Sequence, residues 1–469
     1  MNPSTVARTP APAASDAPLR TWGATHTWRP ARRVAPHDEG ELGAVVAGAG
    51  AEGLRVRAMG AGHSFTAAAV TDGVHLSLDH LSGIEAVAPQ PDGTSLVTVR
   101  AGTRLHALNR VLASLGLAMR NLGDIDRQSV AGAISTGTHG TGARLGGLAT
   151  QVRGVRVVGA DGAVRAASGA AAPGSPEREL FEVARLGLGV AGVLSAVTLE
   201  VVPAFWLRAQ EEPWPLDRVL EQLDEYVDEN DHAEFYWFPG TRRALTKRNN
   251  RATADEVAAW SGARAGARGV MRTAGARARA VLDEEVLSNG AFEVVNRLAF
   301  AAPGMVPRLN SVSARALGAK TYVAPSADVF VTRRRVRFVE MEYALPRAAL
   351  RGVLDELDAW LRASAEPVPF PVEVRFAAAD DVWLSTARGR ETAYVAVHQY
   401  APMPHQRYFS AAEQIFTAAG GRPHWGKMHT RTAADLAAHY PLDDVARVRA
   451  AVDPAGVFRN DYTDTVLGS

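Results

Sequence analysis

The sequence predicts an α+β protein of two lobes, and three observations carry that reading. From residue 21 to 205, short β-branched runs that alternate apolar and polar are interleaved with glycine turns. From about residue 206 Trp and Tyr become denser, as in Phe235-Tyr-Trp-Phe238, and helical patterns separate the strands. At 469 residues the chain suits two or three domains or one large two-lobed enzyme, and 47% apolar against 22% charged residues is an ordinary globular balance.

Taken in order, residues 1–20 are rich in Ala, Pro and Ser, lack the apolar core of a signal peptide, and are expected to form a disordered leader. Residues 54–60 alternate like a strand and run into a glycine turn; 74–78 and 96–100 alternate likewise, and 105–115 has helical spacing. Strands at 152–158 and 193–202 complete the first lobe, 21–205. The second, 206–440, contains an Ala/Arg-rich helical insert at 254–285, with Arg264, Arg268 and Arg272 four apart on one face. Such a face is usually solvated, but it leaves association with an anionic membrane or acidic partner open. Further strands are expected at 336–343, 372–376 and 394–400. Between them, 350–362 is an amphipathic helix with Leu350, Val353, Leu354, Leu357 and Leu361 on one stripe. The closing segment, 441–469, is turn-rich but carries Phe458 and Tyr462, and is expected to pack back near the first lobe.

Composition removes several classes of function. A net charge of +1 argues against a dedicated nucleic-acid binder. With no cysteine, disulfides, thiolate zinc sites, iron–sulfur clusters and cysteine nucleophiles are excluded, and a cytoplasmic location is expected. The longest apolar run, 186–199, is broken by glycines and falls short of the ~20 residues that span a bilayer. Among the 51 Lys and Arg residues only Lys247, Lys320 and Lys427 are lysine. Where arginine is the default, a retained lysine points to a place where arginine does not substitute. Lys427 alone stands inside a recognisable motif; Lys247 and Lys320 have no such context.

Three glycine-rich turns in the first lobe suit a pyrophosphate, because glycine lets backbone N–H groups approach phosphate oxygens. The first is Gly60-Ala61-Gly62-His63-Ser64-Phe65, directly after a strand. Phe65 stands where the dinucleotide fingerprint needs a third glycine, and no G-K-[S/T] occurs, so neither a nicotinamide Rossmann site nor a P-loop is expected. The second turn, Gly132 to Gly142, mixes hydroxyl donors with glycines; the third runs from Leu186 to Val193. His63 lies within the first turn, where a neutral imidazole nitrogen can act as a nucleophile.

Glu373 and Arg375 alternate with Val372, Val374 and Phe376, so carboxylate and guanidinium share one strand face. That face is either a solvated pair of little energetic weight or the wall of a pocket. Glu340 and Glu342 follow the same spacing, and His398 alternates in a third strand, where a lone histidine is more often structural. Pro423-His424-Trp425-Gly426-Lys427 suits a fixed loop holding an imidazole, an indole and an ammonium. His424 and His429 lack H-E-x-x-H spacing and a carboxylate cluster, so no metal site is expected.

Together these motifs resemble the flavin-linked sugar-1,4-lactone oxidases, the group of L-gulono-, D-arabinono- and L-galactonolactone oxidising enzymes. Alditol and xylitol oxidases are close relatives, and all are of the vanillyl-alcohol-oxidase (PCMH) type. The resemblance runs from about Trp22 to Gly468, is most specific at His424-Trp-Gly-Lys427, and is poorest in the helical insert. It implies a PCMH-type FAD-binding domain over 21–205 and a substrate (cap) domain over 206–440, whose mixed or antiparallel sheet is covered by helices. It implies FAD bound covalently through His63. Further FAD contacts are implied at Gly60, Ala61, Gly62, Ser64 and Phe65; at Gly123, Asp124, Ser129, Gly132, Thr136, Thr138, His139, Gly140 and Gly142; and at Gly192, Val193 and His424. Gly123 falls where the family gates oxygen, and a small residue there goes with oxidases. Glu373, Arg375, His398 and Lys427 fall on the substrate side of the flavin. The implied reaction is hydride transfer from a ring CH–OH of an aldono-1,4-lactone to flavin N5, followed by reoxidation by O2 to give hydrogen peroxide. Arg375 would stabilise developing negative charge and Glu373 would orient it. An alditol substrate, a non-oxygen acceptor, and the choice of Glu373, His398 or Lys427 as proton acceptor all stay open.

Overall fold

The computed structural model describes residues 17–260, 288–332 and 336–469. Leu19–Arg20 pairs antiparallel with Thr27–Trp28, so the segment expected to be disordered does not extend to residue 20. Arg264, Arg268 and Arg272 of the helical insert lie outside the described residues.

Besides that two-stranded pair, the first lobe holds two larger sheets. Arg32–Val34, Val74–Leu76 and Val56–Ala58 form a parallel sheet with Val74–Leu76 in the middle. A six-stranded antiparallel sheet runs Val164–Ser168, Val152–Val158, Val193–Pro203, Ser95–Arg100, Ile84–Pro89, with Leu117–Ala118 also on Val193–Pro203. Local chemistry explains the elements. In Ser95–Arg100 burial alternates, with Val97 and Val99 inside, as a strand with one solvated face requires. The helix Leu105–Ser114 buries Leu105, Leu108 and Leu112, three and four residues apart. Pro176–Arg185 starts with proline in its first turn, and Ser175 Oγ accepts the Arg178 N–H.

The second lobe is built on an eight-stranded antiparallel sheet. Its order is Lys320–Pro325, Trp206–Pro215, Arg243–Arg251, His232–Trp237, Val372–Ala377, Thr392–Tyr400, Phe338–Pro346, Arg422–Pro423. One face meets the helices Leu350–Ser364 and Gln406–Ala418 in a core containing Phe235, Trp237, Val374, Phe376, Val395, Tyr343, Leu354 and Phe416. Leu354 is fully buried there, so truncating it to alanine costs about 2–5 kcal/mol. Because side chains alternate, the intervening residues point to the opposite face, towards the first lobe. There Gly142 N–H donates to the Phe376 carbonyl at 2.8 Å, joining the second glycine-rich turn to the sheet.

The chain then returns to the first lobe. The helices Leu442–Val452 and Asp461–Leu467 contribute Val445, Val448, Val466 and Leu467 to that lobe's core. Val56 N–H donates to the Val457 carbonyl at 2.7 Å, and the Asn460 side-chain amide donates to the carbonyls of Ala67 and Val70 at 2.8 and 2.9 Å. Among the described residues no helix is long and apolar enough to cross a membrane.

Candidate active site

Strand register sets out the charged residues in rows across the sheet face that looks at the first lobe. Lys247, Glu234, Arg375 and Tyr394 lie directly opposite one another on four neighbouring strands. Tyr236, Glu373, Ala396 and Glu342 make the next row, and His398 faces Glu340 in the row beyond. Opposite charges are thus cross-strand neighbours. Lys247 Nζ is 2.7 Å from Glu234 Oε1, and Arg375 Nε donates to Glu234 Oε2 at 2.9 Å. Arg375 also pairs with Glu373, and its Nη2 lies 3.6 Å from Asp124 of the first lobe. His398 Nε2 stands 3.5 Å from Glu340 and 4.0 Å from Glu373. The Glu373–Arg375 face is therefore a buried wall, not a solvated pair.

The His424–Lys427 loop is clamped alongside Phe338–Pro346. His424 N–H donates to the Glu342 carbonyl and Met428 N–H to the Glu340 carbonyl, both at 2.9 Å. Trp425 is fully buried and its indole N–H donates to the Leu384 carbonyl at 2.6 Å. This brings Lys427 Nζ to 2.5 Å from Glu340 Oε2. The same loop meets the His63 turn, since Phe65 N–H donates to the Gly426 carbonyl at 2.7 Å.

The result is one cavity with about 700 Å³ of empty space, mouth included. His63, Ser64, Phe65, Gly123, Asp124, Thr136, Thr138, His139, Glu373, Arg375, His424 and Lys427 all line it. So do Trp22, Ile125, Gln128, Glu340, Glu342 and Gly426, which sequence reasoning did not assign to the site. The i, i+2 spacing of Glu340 and Glu342 was a visible signal; Trp22, whose ring centroid is 5.6 Å from that of His63, gave none. Gly60, Ala61, Gly62, Ser129, Gly132, Gly140, Gly142, Gly192, Val193 and His398 are not among the lining residues. Several of them support it from behind. A Cβ at Gly60 would sit 2.3 Å from Ser129 Oγ, which itself caps the helix Val130–Ser135 by accepting the Gly132 N–H. Gly192, at φ +132, begins the Val193–Pro203 strand where a Cβ would meet Val157 at 2.5 Å. His398 is buried on the same sheet face, beside Glu340, without lining the cavity.

Burial alone would raise the carboxyl groups of Glu340 and Glu234, but Lys427 and His398 beside the one, and Lys247 and Arg375 beside the other, hold both at about 2. Burial works against the charge of Lys427, yet Glu340 and Glu342 outweigh it and keep its pKa above the usual lysine value. It is a fixed cation. Burial, helped by Lys427, pushes His63 down to about 4, so its imidazole is neutral near pH 7. Burial likewise pushes His424 to about 4. His424 Nδ1 accepts the Gly426 N–H at 3.0 Å, which leaves the ring hydrogen on Nε2 as a donor. His139, Glu342 and His424 are the one group among the described residues with ligand atoms close enough for a metal. A protonated His424 Nε2 cannot ligate one, and His139 Nε2 is already engaged with Glu342 at 3.1 Å.

Donor-rich turns on one side, a neutral histidine in the lining and paired cations opposite fit a flavin dinucleotide, and comparison with known proteins agrees. An FAD binding domain model matches residues 30–168, and a D-arabinono-1,4-lactone oxidase model matches 197–466. The chain is 42% identical over 448 residues to L-gulono-1,4-lactone dehydrogenase of Mycobacterium tuberculosis, covering 95% of this chain and 98% of that one. It is 30% identical to L-gulonolactone oxidase of Bos taurus, with 96% and 98% covered, and 33% identical to alditol oxidase of a Streptomyces species, with 87% and 89% covered. A solvent-stable cholesterol oxidase shares the PCMH-type fold, with TM-score 0.77 at 17% identity over 97% and 98% of the two chains. With both halves matched and relatives aligned over nearly its full length, the chain belongs to the D-arabinono-1,4-lactone oxidase family of FAD-dependent oxidoreductases.

Proposed function

We propose that this protein oxidises an aldono-1,4-lactone of the D-arabinono- or L-gulono- type at a ring CH–OH, with FAD attached through His63 and O2 as the electron acceptor, releasing hydrogen peroxide. In this reading residues 21–205 and the closing segment hold FAD, and 206–440 wall the substrate. The observation that carries it is the shared cavity: the neutral His63 imidazole and the Arg375–Glu373 and Lys427–Glu340 pairs line one space. FAD, when bound, supplies the hydride acceptor. Everything else falls to the chain. The glycine turns and the Thr136 and Thr138 hydroxyls supply donors for its phosphates and ribityl chain. Arg375, held well above its ordinary pKa by Glu373, Asp124 and Glu234 against the pull of burial, stabilises negative charge that grows on the reacting oxygen. Lys427 is held charged and acts as a donor, which removes it from the three candidate bases. That leaves Glu373, with the buried His398 ring 4.0 Å away, to take the proton.

Gly123 on the cavity wall supports an oxidase; the 42% relative named a dehydrogenase supports a non-oxygen acceptor. Peroxide release and anaerobic flavin bleaching with a panel of aldonolactones and alditols test the proposal. Bleaching by alditols alone, or bleaching by lactones without peroxide, would replace the substrate or the acceptor respectively.

A further inference from the structure

Lys247 is one of three lysines in an arginine-rich chain, and it lies two strands away from the residues that face the cavity. Its side chain is only 8% exposed and contacts Glu234, whose own side chain is 7% exposed. The two oxygens of Glu234 are divided: Oε1 takes Lys247 Nζ at 2.7 Å, and Oε2 takes Arg375 Nε at 2.9 Å. Both contacts follow from register, because Glu234 faces Lys247 on one neighbouring strand and Arg375 on the other. The Tyr236 hydroxyl lies 3.4 Å from Glu234 Oε1 and 3.3 Å from Glu373 Oε1, which ties the two carboxylates flanking Arg375.

From this row we propose that Lys247 is a positioning residue: by neutralising one oxygen of Glu234 it fixes how strongly, and in which direction, that carboxylate holds the Arg375 guanidinium. The guanidinium is a planar fork, so engaging Nε from behind sets the direction of its outer nitrogens. With Lys247 present, Glu234 shares its charge between two cations. Without it, the whole carboxylate charge bears on Arg375 and draws the fork back from the cavity towards the sheet. A lysine suits the position because a compact ammonium fits between strands, beside the Tyr236 ring at 5.8 Å.

The inference rests on the proposed reaction, and the test separates the two. The rate of anaerobic flavin reduction by the best aldonolactone is measured in flavin-loaded wild type, Lys247→Met, Glu234→Gln and the double variant. The expected result is at least a tenfold fall in Lys247→Met and in Glu234→Gln at unchanged flavin content, with the double variant no slower than Glu234→Gln alone. A structural role would instead lower flavin content and melting temperature in step with the rate. Wild-type reduction by Lys247→Met, or losses that multiply in the double variant, overturns the inference while leaving the proposed function standing. If Lys247→Met does not fold, Glu234→Gln against the double variant decides: a tenfold difference between them means that Lys247 does not act through Glu234. A wild-type flavin that no lactone or alditol bleaches overturns the proposed function, and this inference with it.

Discussion

Replacing Lys427 by methionine removes the ammonium while keeping most of the side-chain volume. Its partner Glu340 is 7% exposed at the side chain and is left beside the His398 ring at 3.5 Å once the ammonium is gone. Breaking one side of a buried pair costs about 3–5 kcal/mol, because the remaining charge has lost its compensation. Glu340 can escape part of that cost by taking a proton, since the carboxyl held at about 2 by Lys427 would rise above its ordinary value on burial alone. A carboxyl raised in the folded state contributes stability at low pH that is lost as pH climbs through its folded pKa, at about 1.4 kcal/mol per unit. The deficit of Lys427→Met is therefore largest above pH 7 and shrinks towards pH 5. Adding Glu340→Gln removes the orphaned charge and should return stability to within about 1 kcal/mol of wild type. Urea unfolding at pH 8 and pH 5, followed by tryptophan fluorescence, measures both effects. A Lys427→Met midpoint equal to wild type at pH 8, or a deficit that Glu340→Gln does not relieve, would refute the ion-pair account. Lys427→Arg keeps the charge but exchanges a compact donor for a fork; it should retain flavin and lose turnover at least about tenfold.

Three further outcomes are expected. His63→Ala should bind FAD but release all of its colour on acid precipitation, whereas the wild-type pellet stays yellow; a colourless wild-type pellet would remove the His63 linkage. Gly123→Ala places a Cβ 3.0 Å from Thr138 Cγ2 and 3.1 Å from the His139 carbonyl, a shift of tenths of an ångström, at a cost of about 1 kcal/mol. Oxygen consumption should fall while reduction by substrate and turnover with an artificial acceptor persist, and unchanged oxygen consumption would count against gating there. Burial pushes His63, His75, His424 and His429 to about 4, so between roughly pH 6.5 and 4 the unfolded chain binds more protons than the folded one. Unfolding midpoints should fall across that window, by on the order of 3 kcal/mol for His424 alone; a flat profile from pH 7 to 5 would contradict it.

Much was legible in the sequence because it rests on local rules. Alternation located the strands Ser95–Arg100, Val152–Val158 and Val372–Ala377, and the leucine stripe located the helix Leu350–Ser364. Glycine turns suited a pyrophosphate, and the His424–Lys427 run read as a fixed loop because its chemistry is unsuited to helix or strand; its place at the site came from the family resemblance. Alternation also put Glu373 and Arg375 on one face, but it could not say which side of the sheet faced solvent. Pairing across strands decided that. The row Lys247–Glu234–Arg375 joins residues far apart in the chain, and a shift of one residue in any of the three strands would dissolve it. Lys247 therefore seemed without context in the sequence and gained one only when register set it against Glu234. The sequence by itself determined which side chains could carry charge, donate hydrogen bonds or leave backbone bare. Tertiary structure decided which opposite charges are neighbours in a water-poor space, and that proximity is what holds Glu340 and Glu234 ionised and Lys427 charged.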